Sequence, residues 1–292
     1  MSFPIAFTAV LISAFALHAA DSDVRPQLER TYSEWRSALA ARDLPGWQKV
    51  TASHRQMATR NLIVSQKQPF PAALFNLPMR PAETATLRFL QAKVVGNTAH
   101  AAYFGKVDLG LVDASEIPDN ILILKFVKEA TGWKFDTSRL LNLSGSPEIR
   151  ITLQNGATTP FLDDPAFAPD GQIPATAKPC PIPDRIGVLQ VASFGYTTKA
   201  TVNGFEVATV QDNAEEHLII GGLRNGENPL ILEAKELPVP DGEERHIQVN
   251  ALVLTEDQKK PTIRVFEWKS DGKDLKDPLK LPIYVNQITL RN

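Results

Sequence analysis

"TVNGFEV", residues 201–207, is the stretch from which the second half of the chain is read. Asn203-Gly204 stands between the strand-like runs "KATV" and "FEVATV", and an Asn-Gly pair tolerates the positive φ that a two-residue hairpin turn requires. The same reading extends to Asn225-Gly226 in "LRNGENPLIL". A census of such pairs divides the chain: Asn155-Gly156, Asp170-Gly171, Asn203-Gly204, Asn225-Gly226, Asp241-Gly242 and Asp271-Gly272 all fall in its second half. After Arg185 the runs "IGVLQVASF", "KATVNGFEVATV", "HLIIGG", "NPLILEAKEL", "RHIQVNALVLTE", "TIRVFEWK" and "IYVNQITL" predict short strands with hairpin punctuation, hence an all-β sandwich over 185–292.

The first half reads differently. Leu28, Tyr32, Trp35 and Leu39 recur at steps of four, three and four, the spacing of one helix face. Asp43 is placed to cap a short helix entered through Pro45, with Leu44, Trp47 and Val50 inward. Ser53 opens a third helix that runs through Met57 and Val64 to the prolines of "SQKQPFP". Beyond Pro81 come strands: "TLRFLQAKVV", "TAHAAYFGKVDLG", "NILILKFVKE" and "WKFDTSRLLNL". Helices followed by antiparallel strands predict an α+β domain over 21–143. Residues 144–184 are rich in proline and predict an extended connector lying on a surface, with Phe161, Leu162 and Phe167 needing a place to pack. "EIRITLQ" is a short strand candidate within it.

A chain of 292 residues, 43% of them hydrophobic, is long enough to bury a substantial core. Its 31 basic and 33 acidic residues supply no cationic field for a phosphate backbone, which argues against nucleic acid. Residues 1–20, "MSFPIAFTAVLISAFALHAA", are apolar, free of Asp, Glu, Lys and Arg, and end in small residues before "DSD". They read as a secretory signal, and the protein as exported, periplasmic or extracellular; the competing reading is an uncleaved anchor. No later segment is apolar enough to span a bilayer. The single cysteine, Cys180, excludes an internal disulfide and reads as a packed small residue between prolines.

Two resemblances follow. "YSEWRSALAARDLPGW" with a late "GWKF" strand resembles the nuclear-transport-factor-two-like, cystatin-like cone superfamily, over roughly residues 24–143. That family implies a curved sheet wrapped around a helix to form a cavity, in some members the site of isomerase or cyclase chemistry. "ATVNGFEV" followed by "EEHLIIGGLRNGENPLIL" looks like a galactose-binding-type jelly-roll sandwich, with immunoglobulin-like sandwiches as the alternative.

Candidate chemistry is sparse. An enzyme using the cone cavity would draw on His54, His100, Tyr103 and Asp136, but strand parity puts His100 and Tyr103 on opposite faces, and His54 reads as a solvated first-turn residue. The histidines show no ligand spacing, so neither a metal nor a cofactor is expected. In "NILILKFV" both alternating faces are apolar, so a strand covered on both sides is expected; Leu122, Leu124 and Phe126 are read as an outer docking face. A homo-oligomer is compatible with that face. Phe205 and Tyr196 are the candidate sugar platforms, while Trp268 reads as core. The function expected is an exported, non-catalytic binding or scaffolding protein with a carbohydrate or protein partner, against the alternative of a small-molecule enzyme.

Overall fold

The structure is a computed structural model and describes residues 16–76, 79–110, 117–240, 244–270 and 278–291. Most of the leader, the pairs Asp241-Gly242 and Asp271-Gly272, and residues 111–116 lie outside the described residues. The chain divides into two compact units, one of residues 1–56 and 77–175, the other of 57–76 and 176–292.

In the first unit, helix α1 (Ala16–Ala41) buries Leu28, Tyr32 and Leu39 on the face that the sequence spacing predicts. Asp43 ends the turn that follows, accepting from the Gly46 N–H at 3.1 Å, and α2 (Leu44–Val50) buries Trp47 and Val50. Four strands then form an antiparallel meander in sequence order: β1 (Arg88–Val95), β2 (Thr98–Lys106), β3 (Asp119–Glu129) and β4 (Gly132–Asn142). One sheet face carries Ala99, Ala101, Tyr103, Leu122, Leu124 and Phe126 against Val24, Leu28 and Tyr32 of α1. The other carries Ala102, Phe104, Ile121 and Ile123, and is covered by Leu143, Leu153, Leu162 and Phe167. The proline-rich stretch therefore straps the sheet, and each of its large apolar side chains adds about 1.5–3 kcal/mol through burial.

The strand expected at "EIRITLQ" is instead helix α4 (Pro147–Gln154). Pro147 stands in the first helical turn, where its missing N–H costs nothing. Ile149 and Leu153, four apart, turn toward the sheet, while Ile151 is left 51% exposed. Gly156, at φ +84, closes the helix by donating to the Leu153 carbonyl, so Asn155-Gly156 serves as a helix stop and not as a hairpin.

Helix α3 (Ser53–Ser65) crosses the division between the units. In the second unit its Asn61 side chain binds the Lys178 carbonyl and the Cys180 N–H, and Ser65 Oγ accepts from the Gly221 N–H at 2.7 Å. Cys180 is buried beside them, its Sγ 3.6 Å from the Asn61 carbonyl.

Among the described residues, the strands of this unit form one six-stranded antiparallel sheet. It comprises β5 (Gly187–Val202), β6 (Phe205–Leu218), β7 (Gly226–Glu236), β8 (His246–Leu254), β9 (Thr262–Lys269) and β10 (Leu279–Val285). The path runs β10-β7-β5-β8-β9, with β6 along the free side of β5. β5 pairs with β8 through Gly187–Phe194 and with β7 through Tyr196–Val202. Asn203 and Gly204, at φ +53 and +76, form the expected hairpin turn between β5 and β6.

The expected class, an α+β cone-like domain followed by an all-β sandwich, does not hold. The protein is mostly β, 43% strand and 22% helix, with two antiparallel sheets. Among the described residues, apolar clusters cover both faces of the first sheet. The second is a single sheet, where a sandwich would have two. The sequence reading separates "IGVLQVASF" from "KATV" by residues 195–198, but the backbone continues through them as one 16-residue strand. The sheet folds about that strand and brings β9 beside β10, close to a barrel.

Candidate functional site

The titratable candidates of the first unit separate by sheet face. Tyr103 points beneath α1, where its hydroxyl donates to Glu29 Oε1 at 3.0 Å; burial, with the Glu29 charge, pushes its pKa up. His100 lies on the opposite face and is fully buried. Its Nδ1 is 3.1 Å from the Phe167 carbonyl and its Nε2 is 3.1 Å from the Gln91 amide. Burial holds the imidazole below its ordinary pKa, more strongly than the Phe167 hydrogen bond raises it, so the ring is neutral, donates from Nδ1 and accepts at Nε2.

His54 is not the solvated residue expected. It is 7% exposed, and its Nε2 lies 2.8 Å from Asp136 Oδ1, which also accepts from Arg55 Nε at 2.9 Å. Asp136 is the extra residue of a bulge in β4 opposite Lys125 and Phe126, and the bulge aims it at the first turn of α3. Burial disfavours its charge, but the His54 and Arg55 contacts outweigh that cost and hold it below the ordinary carboxylate range. Glu129 grips the same turn through Ser53 N and Oγ. This arrangement anchors the helix: His54 Nδ1 is buried without a hydrogen-bond partner, while Asp136 also lines a small pocket of about 230 Å³ that His100 shares.

Leu122, Leu124 and Phe126, read as an outer docking face, are instead 2%, 0% and 1% exposed beneath α1. The parity was sound, but the helix took this face and the strap took the other. Among the described residues no group of three or more His, Cys, Asp or Glu is placed to hold a metal ion. No described helix is long and apolar enough to cross a membrane.

Of the aromatic candidates in the second unit, Tyr196 and Trp268 pack against the core. Phe205 is half-buried, with Lys178 Nζ 4.9 Å from its ring centre. A polar surface lies elsewhere in this unit, on the outer face of β6, β5 and β8. There a shallow depression of about 360 Å³ is lined by Gln190, Ala192, Ala214, Glu216, Gln248 and Asn250, among others.

Strand register arranges it in rows. Glu216, Gln190 and Asn250 stand side by side; Gln190 Nε2 donates to Glu216 Oε2 at 2.9 Å and its Oε1 accepts from Asn250 Nδ2 at 3.4 Å. The next row, Ala214, Ala192 and Gln248, is low because two of its members are alanines. Beyond it Phe194, 38% exposed, pairs with His246, their rings 5.0 Å apart. Sequence reasoning missed this face, although its signal was present: Gln190, Gln248 and Asn250 alternate with the buried Leu189, Val191, Ile247, Val249 and Ala251.

A larger groove of about 560 Å³ in the first unit lies beside Trp133, and part of its polar lining is engaged in hydrogen bonds. Lys134 donates to the Lys49 carbonyl, Gln56 to the Gln48 and Thr51 carbonyls, and Glu129 is held by Ser53. The chain matches no protein-family model, no curated protein and no solved structure.

Proposed function

We propose that this protein is an exported, non-catalytic binding protein acting at the cell envelope or outside the cell, and that its ligand is a saccharide lying across β6, β5 and β8. The uncharged, apolar leader of residues 1–20 supports export. The observation that carries the binding reading is the banded surface: a polar row of Glu216, Gln190 and Asn250, a low row of Ala214 and Ala192, and the Phe194–His246 ring pair.

A pyranose presents the complementary pattern, with hydroxyls at its rim and C–H groups on its ring face. Amide and carboxylate side chains take up the hydroxyls in fixed orientation, and the alanine row leaves room for the ring. Titration calorimetry with a panel of neutral oligosaccharides tests the reading. Saturable binding that Gln248→Ala weakens supports it, and heat traces indistinguishable from dilution across the panel reject it.

A further inference from the structure

We propose that a second site in the same unit binds the carboxylate of an amphiphile with a medium-length apolar tail. The site is a groove of about 450 Å³ at the end of α3, lined by Arg60, Val64, Lys67, Gln68, Pro69, Phe70 and Ile182. That volume lies within the range of about 300–1,000 Å³ usual for small-molecule pockets. The lining contains two cations, no carboxylate, and an apolar wall of Val64, Pro69, Phe70 and Ile182. Ile182 is 75% exposed and contributes an apolar side chain to this wall.

The cations are not neutralised. Arg60 donates Nη1 to Asn61 Oδ1 and to the Cys180 carbonyl, and Lys67 Nζ lies 3.4 Å from the Asp184 carbonyl. All three acceptors are uncharged, and among the described residues neither cation forms an ion pair. Charge complementarity therefore calls for an anion whose remaining surface is apolar, which describes a fatty carboxylate better than a sugar acid or a phosphate.

The backbone adds an independent observation. Lys67 holds φ +57 at the position that ends α3. There its N–H bonds the Val64 carbonyl, and the following Gln68 N–H bonds that of Ile63. Glycine is the residue favoured at such a helix end, because a Cβ strains the left-handed conformation. A lysine in this place gives up stability relative to glycine and sets its side chain in the lining of the groove.

Calorimetric titration of the full chain with sodium decanoate below its micelle concentration tests the proposal, with decylamine and decanol as parallel arms. Saturable binding of decanoate alone is expected. Lys67→Gly should weaken it by roughly tenfold or more while raising the thermal midpoint, a combination that loss of fold cannot mimic. Ile182→Glu, at an exposed position, should weaken decanoate by a similar factor. The proposal is overturned if decanoate fails to saturate, if decanol or decylamine binds as well, or if both variants bind decanoate like the parent.

Discussion

The backbone N–H of Gly195 donates to the Asp212 carboxylate at 3.0 Å, and both residues hold positive φ, +72 and +46. They face each other across a bulge in which β5 places three residues, Phe194 to Tyr196, opposite the single Asp212 of β6. The bulge reverses the alternation of the strand. Before it the core takes Leu189, Val191 and Ser193; after it the core takes Thr198, Ala200 and Val202. One strand thereby serves both β8 and β7 while keeping a single buried side. A Cβ at Gly195 would lie 2.6 Å from Arg245 Cγ and 2.7 Å from Val239 Cγ1. Gly195→Ala should therefore lower unfolding free energy by about 2–4 kcal/mol, read by urea denaturation.

Leu124→Glu places a carboxylate between α1 and the first sheet, at a site with no exposure. It should cost more than about 4 kcal/mol, seen as loss of the cooperative thermal transition of the first unit, and should leave no folded species of altered oligomeric mass. A folded Leu124→Glu variant with a changed mass would restore the docking-face reading.

His100 makes stability depend on pH in a defined direction. Its folded pKa lies below 6.5, so the unfolded chain takes up a proton that the folded chain refuses. The contribution of the neutral ring is complete above about pH 6.5 and is lost as pH falls from there toward the lower folded value, at no more than about 1.4 kcal/mol per pH unit. His100→Gln should flatten the stability profile between pH 7 and 5. Asp136, whose folded pKa is depressed, acts lower: its contribution is present above the unfolded value near 3.8 and disappears as pH falls through the folded one. An unchanged profile in His100→Gln would remove the imidazole from this account.

The sequence carried the elements better than their assembly. The face of α1, the Asp43 cap, the four-strand meander and the Asn203-Gly204 hairpin follow from spacing and turn chemistry that act within a few residues. The strap could be anticipated because Phe161, Leu162 and Phe167 had to be buried, and a strand apolar on both sides had to be covered twice. The break between "IGVLQVASF" and "KATV" misled because a glycine-containing gap between apolar runs signals either a turn or a bulge, and only the pairing partners decide. "EIRITLQ" misled because Ile149, Ile151 and Leu153 satisfy a two-residue period as well as a helical step of four. The His54–Asp136 contact joins residues 82 positions apart and has no local signature. The banded face was hidden for a different reason: single amides alternating in a strand look like ordinary solvent-facing positions until register aligns them across three strands.

The central claim, that the outer face of β6, β5 and β8 holds a saccharide, is tested most directly by titrating the full chain and its Ala192→Arg variant with the same neutral oligosaccharides. Ala192 is half-exposed in the low row, so the arginine fills the depression without entering the core. The account predicts saturable binding by the parent and at least about tenfold weaker binding by Ala192→Arg at an unchanged thermal midpoint. Binding of equal strength in both proteins, or in neither, would contradict it.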